Sequence, residues 1–300
     1  MTDFPSRRAL VGSLLALPAL AQEKKKAAAN YPPQIDGAAT EVYKRIGDVE
    51  LKLWIFRPAG HSASQKRAAI VFFFGGGWTS GTPKQFEQHC LHLAQKGMVA
   101  ITADYRVASR HKVKVVDCVR DAKSAMRYVR MNAQRLGIDP NRIAAGGGSA
   151  GGHLAAATGV LPGYEEPGEN TKISSRPNAM VLFNPAVVLA DAPEADFKVS
   201  SLSGVTERMG AAPETVSPYH HVSKGAPAAI LFHGKADTTV PYRTAEAFAA
   251  KMKAAGNRCE LAGYDGQAHG FFNFGRGNNQ YFEKTRDRMT EFLKELRYTE

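Results

Sequence analysis

The chain has 300 residues, 44% of them hydrophobic and 22% charged, with a formal net charge of +11. That length and apolar content suit one large folded domain and exclude a disordered chain. The basic residues are scattered, with the lysines at 24–26 the one run, and no basic stretch is interleaved with aromatics, so no nucleic-acid partner is expected.

The first predicted element is an export signal over residues 1–21. Arg7 and Arg8 precede an apolar run that closes on Ala19-Leu20-Ala21, a small-residue cleavage pattern. The surrounding Ser6-Arg7-Arg8-Ala9-Leu10 is similar to the twin-arginine type of signal. The run is shorter than the ~20 residues a membrane span needs. The protein is therefore expected to be exported, periplasmic or secreted, with no stable membrane association. Residues 22–40, which include Pro32-Pro33, read as an exposed leader, and 41–300 as a single domain.

Beyond the leader, apolar β-branched runs alternate with helical patterns. Strands are predicted at 49–56, 68–74, 98–104, 142–145, 179–183, 228–232 and 260–264. Helices are predicted at 83–96, 115–136, 152–161, 243–255 and 279–296. This order argues an α/β fold, a doubly wound and mostly parallel sheet with helices on both faces. The insertions at 161–179 and 190–220 are rich in Pro, Gly, Ser and charge, so any cap is expected to be small or absent, with an open polar rim. The helices bearing Cys90 and Cys118 are expected on opposite faces, unpaired with each other. His89-Cys90 with His92 lacks a further ligand at a usual spacing and reads as a solvated helix face, so no metal or cofactor is expected.

The stretch RIAAGGGSAGGHLAAATG at 142–159 fits two patterns at once. Gly146, Gly148 and Gly151 occupy the places of a G-x-G-x-x-G phosphate loop, while Gly147, Ser149 and Gly151 make a G-x-S-x-G nucleophile elbow. Position decides between them. A dinucleotide loop belongs after the first strand of its unit, with an acid closing the next strand, whereas here the next strand ends Phe183-Asn184-Pro185. An elbow instead demands an acid and then a histidine, each after a later strand. Asp237 follows one strand and His269 follows the last, in the order Ser149, Asp237, His269. In that arrangement the imidazole takes the serine proton and the carboxylate holds its tautomer. Asp265 is the rival acid, and is expected to cap its own loop.

An oxyanion needs N–H donors, one from the residue after the nucleophile and another from the loop after the third strand. Ala150 supplies the first. Phe74-Gly75-Gly76-Gly77-Trp78 supplies the second, through Gly76 or Gly77. Asp104-Tyr105-Arg106 predicts an internal ion pair that shapes this loop. Trp78 and Phe271 are placed as lining of a substrate pocket, with core packing the alternative for Phe271 and Phe272. His220 and His221 read as structural.

With these residues assembled, the chain resembles the α/β-hydrolase esterases from about Glu41 to Leu296. The Gly147-Gly148-Ser149-Ala150-Gly151-Gly152-His153 block is similar to that of bacterial acetyl and feruloyl carboxylesterases and of the hormone-sensitive lipase branch. It departs from that branch at Phe74, where a histidine is usual, and the Asp237 to Pro241 motif is similar to dienelactone hydrolases and prolyl oligopeptidases. The resemblance implies a serine carboxylesterase acting on small-molecule or carbohydrate esters. Two other readings stay open: a peptidase lacking a propeller, and a non-catalytic binding module.

Overall fold

The computed structural model describes residues 31–198 and 205–299. The export signal expected at 1–21 lies outside them. Residues from Ile35 onward cluster as one unit.

Eight strands form a single sheet among the described residues: β1 (Ala39–Ile46), β2 (Val49–Phe56), β3 (Arg67–Phe73), β4 (Val99–Ala103), β5 (Ile138–Gly148), β6 (Ala179–Phe183), β7 (Ala228–Gly234) and β8 (Cys259–Tyr264). Their order across the sheet is β1-β2-β4-β3-β5-β6-β7-β8. The β1–β2 and β2–β4 pairs are antiparallel, and every pair from β4–β3 to β7–β8 is parallel. The central strands β4 and β6 are buried at every position, as helices on both faces require.

The helices that matter for the core and the site are α1 (Glu87–Gln95), α2 (Val115–Met131), α3 (Ala150–Val160), α4 (Val205–Met209), α5 (Pro213–Val216), α6 (Tyr242–Ala254) and α7 (Gln280–Glu295), with short helical turns at Ala108–His111 and Ala133–Leu136 besides. Two apolar cores lie on the two faces of the sheet. One gathers the buried sides of α2, α3 and α6, and the other those of α1 and α7. Helix α7 illustrates the logic: Phe282, Thr285, Met289, Phe292 and Leu293 recur at helical spacing and form its buried stripe, with charged residues opposite.

Strand β1 was not among the predicted elements, and it begins at Ala39, inside the stretch expected to be a leader. Only two of its eight residues, Tyr43 and Lys44, are buried. An edge strand of this kind forms from its ladder with β2 rather than from an apolar run. The predicted solvated face of α1 is also corrected. His89 and Cys90 are fully buried, with His89 ringed by Phe72, Phe86, Phe183, Phe272 and Phe282. Cys90 and Cys118 belong to different cores, and all three cysteines are free thiols.

Candidate active site

Strand β5 and helix α3 meet in a turn whose sterics determine its sequence. Ser149 sits at φ 55°, ψ −117°, a region an L-residue occupies only under constraint. A Cβ on Gly147 would lie 2.4 Å from the Gly151 carbonyl oxygen, and one on Gly151 only 2.0 Å from that of Phe73. Any side chain at either place would push the turn away from β3. The Ser149 N–H donates to the Phe183 carbonyl at 2.9 Å, which ties the strained residue to β6.

The three residues singled out as a triad come together. Ser149 Oγ lies 2.9 Å from His269 Nε2, and His269 Nδ1 lies 2.7 Å from Asp237 Oδ2. With Nδ1–H donated to the carboxylate, Nε2 is left to accept the hydroxyl proton. Asp237 is buried, and its Oδ1 accepts the N–H groups of Thr239 and Val240 at 2.9 Å each. Burial raises its pKa, but bonds from His233, His269 and Val240 outweigh that effect and hold it well below the carboxylate range. Asp265 does not cap the loop. Its side chain is exposed and pairs with Lys235 at 2.8 Å.

The N–H groups expected to meet an oxyanion differ from their neighbours in what they already bond. Gln85 Oε1 takes the Gly75 N–H at 2.6 Å and its amide donates to Asn273 Oδ1 at 2.8 Å, joining this loop to the one that carries His269. Among the described residues the N–H groups of Gly76, Gly77 and Ala150 meet no acceptor, and Gly77 and Ala150 line one cavity with Ser149. The loop is braced by the Tyr105 hydroxyl, which donates to the Phe74 carbonyl at 2.7 Å. The ion pair expected within Asp104-Tyr105-Arg106 is corrected: Arg106 bonds Asp121 at 2.8 and 2.9 Å, while Asp104 Oδ1 accepts the Tyr105 N–H at 2.8 Å. Trp78, at φ 58°, donates its indole N–H to His153 Nδ1 at 3.2 Å, and His153 Nε2–H donates to the Val216 carbonyl at 2.8 Å.

A cavity of about 450 Å³ opens over Ser149 and Ala150. Trp78 lines it, with Val188, Leu189, Phe197, Arg208 and Met209. Phe271 does not. It is buried in the α1–α7 core against Tyr264 and Tyr281, ring centres 5.0 and 5.9 Å away, because its neighbour His269 takes the site-facing place in the loop. The two insertions differ from expectation as well. Glu165, Glu166 and Glu169 in the first pair with Lys44, Lys123 and Arg127, which fastens that segment to α2 and β1 away from the site. The second supplies apolar lining through Phe197 and Met209, beside Val188 and Leu189 that precede it, so the rim is less polar than its composition implied.

Three contributors had no motif to disclose them. Asn184 is buried and its Oδ1 accepts the Gly270 N–H at 3.0 Å, holding the histidine loop. Gln85 joins the two loops as described. His233 is fully buried, donating from Nε2 to the Val240 carbonyl at 2.8 Å and lying 3.3 Å from Asp237 Oδ2. His220 and His221 bond Ser217, Asp191 and Glu214, away from Ser149. Among the described residues no three metal-ligating side chains converge, and no helix is long and apolar enough to cross a membrane.

An elbow serine with an imidazole and a buried carboxylate behind it, on a sheet of this order, defines a serine hydrolase of the α/β-hydrolase class. The chain belongs to the BD-FAE family, which matches residues 53–252. It is 30% identical to the esterase LipC of Mycobacterium tuberculosis over 220 residues, covering 67% of this chain and 52% of that protein. The probable carboxylic ester hydrolase LipM of the same organism is also 30% identical, over 60% of this chain and 43% of that one. The chain thus spans about half the length of these curated relatives. Coverage is fuller for esterase 2 of Thermogutta terrifontis, solved with propionate bound: 53% identity, TM-score 0.85, 90% of this chain and 98% of that one.

Proposed function

We propose that the protein is a carboxylesterase that cleaves short-chain acyl esters through an acyl-enzyme on Ser149. The observation that carries this reading is the hydrogen-bonded line Asp237–His269–Ser149 ending at the floor of the cavity. His269 Nε2 takes the proton as Ser149 Oγ adds to the ester carbonyl, and Asp237 balances the imidazolium that forms. The oxyanion falls to the N–H groups of Gly76, Gly77 and Ala150, and the imidazolium returns its proton to the departing alcohol. Water, deprotonated by the same imidazole, then adds to the acyl-enzyme and releases the acid with Ser149 restored.

A cavity of about 450 Å³ lined by Phe197 and Met209 among other apolar side chains suits a short acyl chain. Propionate in the Thermogutta terrifontis structure agrees with that size. With p-nitrophenyl esters, kcat/KM is expected to peak at acetyl or propionyl and to fall beyond about six acyl carbons, as the chain outgrows the space that rewards each buried methylene. Rates that climb through decanoyl would overturn this. The finer reading is an exported enzyme acting on acetyl or feruloyl esters of carbohydrates, supported by the signal-like N-terminus. Its check is acetate release from acetylated xylan and ferulate release from feruloylated arabinose. Absence of both would remove the carbohydrate part and leave the esterase.

A further inference from the structure

Of the described residues that line the cavity, Arg208 is the one that carries a charge. Its guanidinium lies 5.3 Å above the Trp78 ring and donates from Nη2 to the Gly77 carbonyl. These contacts, with a longer one of 3.5 Å from Nη2 to Thr79 Oγ1, hold a planar cation beside Gly77, which lines the cavity together with Ser149. Among the described residues no carboxylate pairs with it, and residues 199–204 contain none. The adjacent Glu207 points to Lys114, 3.8 Å away. The apolar residues that share the cavity with it, Val188, Leu189, Phe197 and Met209, offer no counter-charge, and the exposed guanidinium is open to an anion entering from solvent.

We infer that Arg208 forms an anion subsite within the cavity, and that the esters this protein favours carry a free carboxylate. This rests on the esterase reading above. The guanidinium edge left over from the Gly77 bond presents parallel N–H donors that match a carboxylate in a bidentate way. Because Gly77 supplies both the anchoring carbonyl and an oxyanion N–H, the anion would lie only a few ångströms from the reacting carbonyl. That carboxylate could belong to the acid or to the alcohol part of the ester, and two substrate pairs separate the sources.

The first pair is monomethyl succinate and methyl succinamate, which differ in charge at the end of the acyl chain. The second is the acetate ester of 3-hydroxypropanoate and that of its amide, which differ on the alcohol. Acid release is followed by pH-stat, and the ratio of kcat/KM for charged over neutral substrate is taken within each variant, so that any displacement of the Gly77 loop cancels. The ratio is expected to be about fivefold in one pair for the wild type, the size of a partly exposed ion pair. It should fall to about one in Arg208→Gln, remain partly in Arg208→Lys, and shrink as salt is raised. A wild-type ratio at or below one in both pairs, or a preference that survives in Arg208→Gln, overturns the subsite. If none of the four esters is cleaved, the esterase reading fails instead.

Discussion

At Asp237 two imidazoles meet one carboxylate. His269 donates to Oδ2 at 2.7 Å, and His233 lies 3.3 Å from the same oxygen while its Nε2–H also serves the Val240 carbonyl. The bonds from both histidines help hold the Asp237 pKa down against its burial. Removing the His233 donor leaves Asp237 Oδ2 with one partner fewer, so the carboxylate is less firmly held in line with His269. In His233→Leu kcat is expected to fall by about tenfold with KM little changed, and to be largely kept in His233→Gln, whose amide keeps an N–H at a similar reach. A leucine variant with the wild-type kcat would contradict this role. The triad residues were legible because an elbow, an acid and a histidine must each follow a strand, a demand that sequence order can test. His233, Asn184 and Gln85 were not, since their roles exist only through contacts with residues distant in the chain. Phe271 was misplaced for the converse reason, being close to His269 in sequence while its ring turns into the core.

The element that matters most is the β5–α3 turn, where glycines at 147 and 151 let β3, β5 and α3 approach closely. It was readable because its steric requirement leaves few residue choices. Strand β1 was not, because it buries only two residues and gains its structure from pairing with β2. The lining segment around α4 also escaped, as five residues are too few for an amphipathic period. Helix placement carries its own expectation. Cys90 on α1 and Cys118 on α2 are packed into different cores, and Cys259 lies at the start of β8. Burial pushes all three thiols up, Cys259 to about 12. Thiol titration should find three reactive groups per chain after denaturation without reductant, and almost none before it. A single reactive thiol in the denatured protein would mean that a disulfide joins two of these positions.

Across the whole molecule, two apolar cores contain histidines that the fold keeps neutral. Burial takes His89 down to about 3 and His153 to about 4, the latter against the opposing bond to the Val216 carbonyl. Neither ring nitrogen of His89 meets a partner among the described residues. Above pH ~6.5 neither residue binds a proton in the folded or the unfolded chain, so neither makes stability depend on pH. Below it the unfolded chain takes up protons that the native one refuses. Each group then costs about 1.4 kcal/mol per pH unit, down to the native value of that group. Carboxylates held low, such as Asp237 and Glu165, add their loss only further into the acid range. Calorimetry should show the unfolding temperature dropping between pH ~6.5 and 4, with a shallower slope in His89→Leu. Equal slopes in the two proteins would contradict the assignment.

All of this framework converges on one hydroxyl, and the most direct measurement is kcat/KM of Ser149→Ala against wild type on p-nitrophenyl propionate. The near-ultraviolet circular dichroism of both proteins serves as the control for folding. A folded variant reduced by at least about 10⁴ is the expected result, because a triad acts as a unit and loses most of its effect with any one member. A folded variant that keeps a tenth of the wild-type rate would contradict the account.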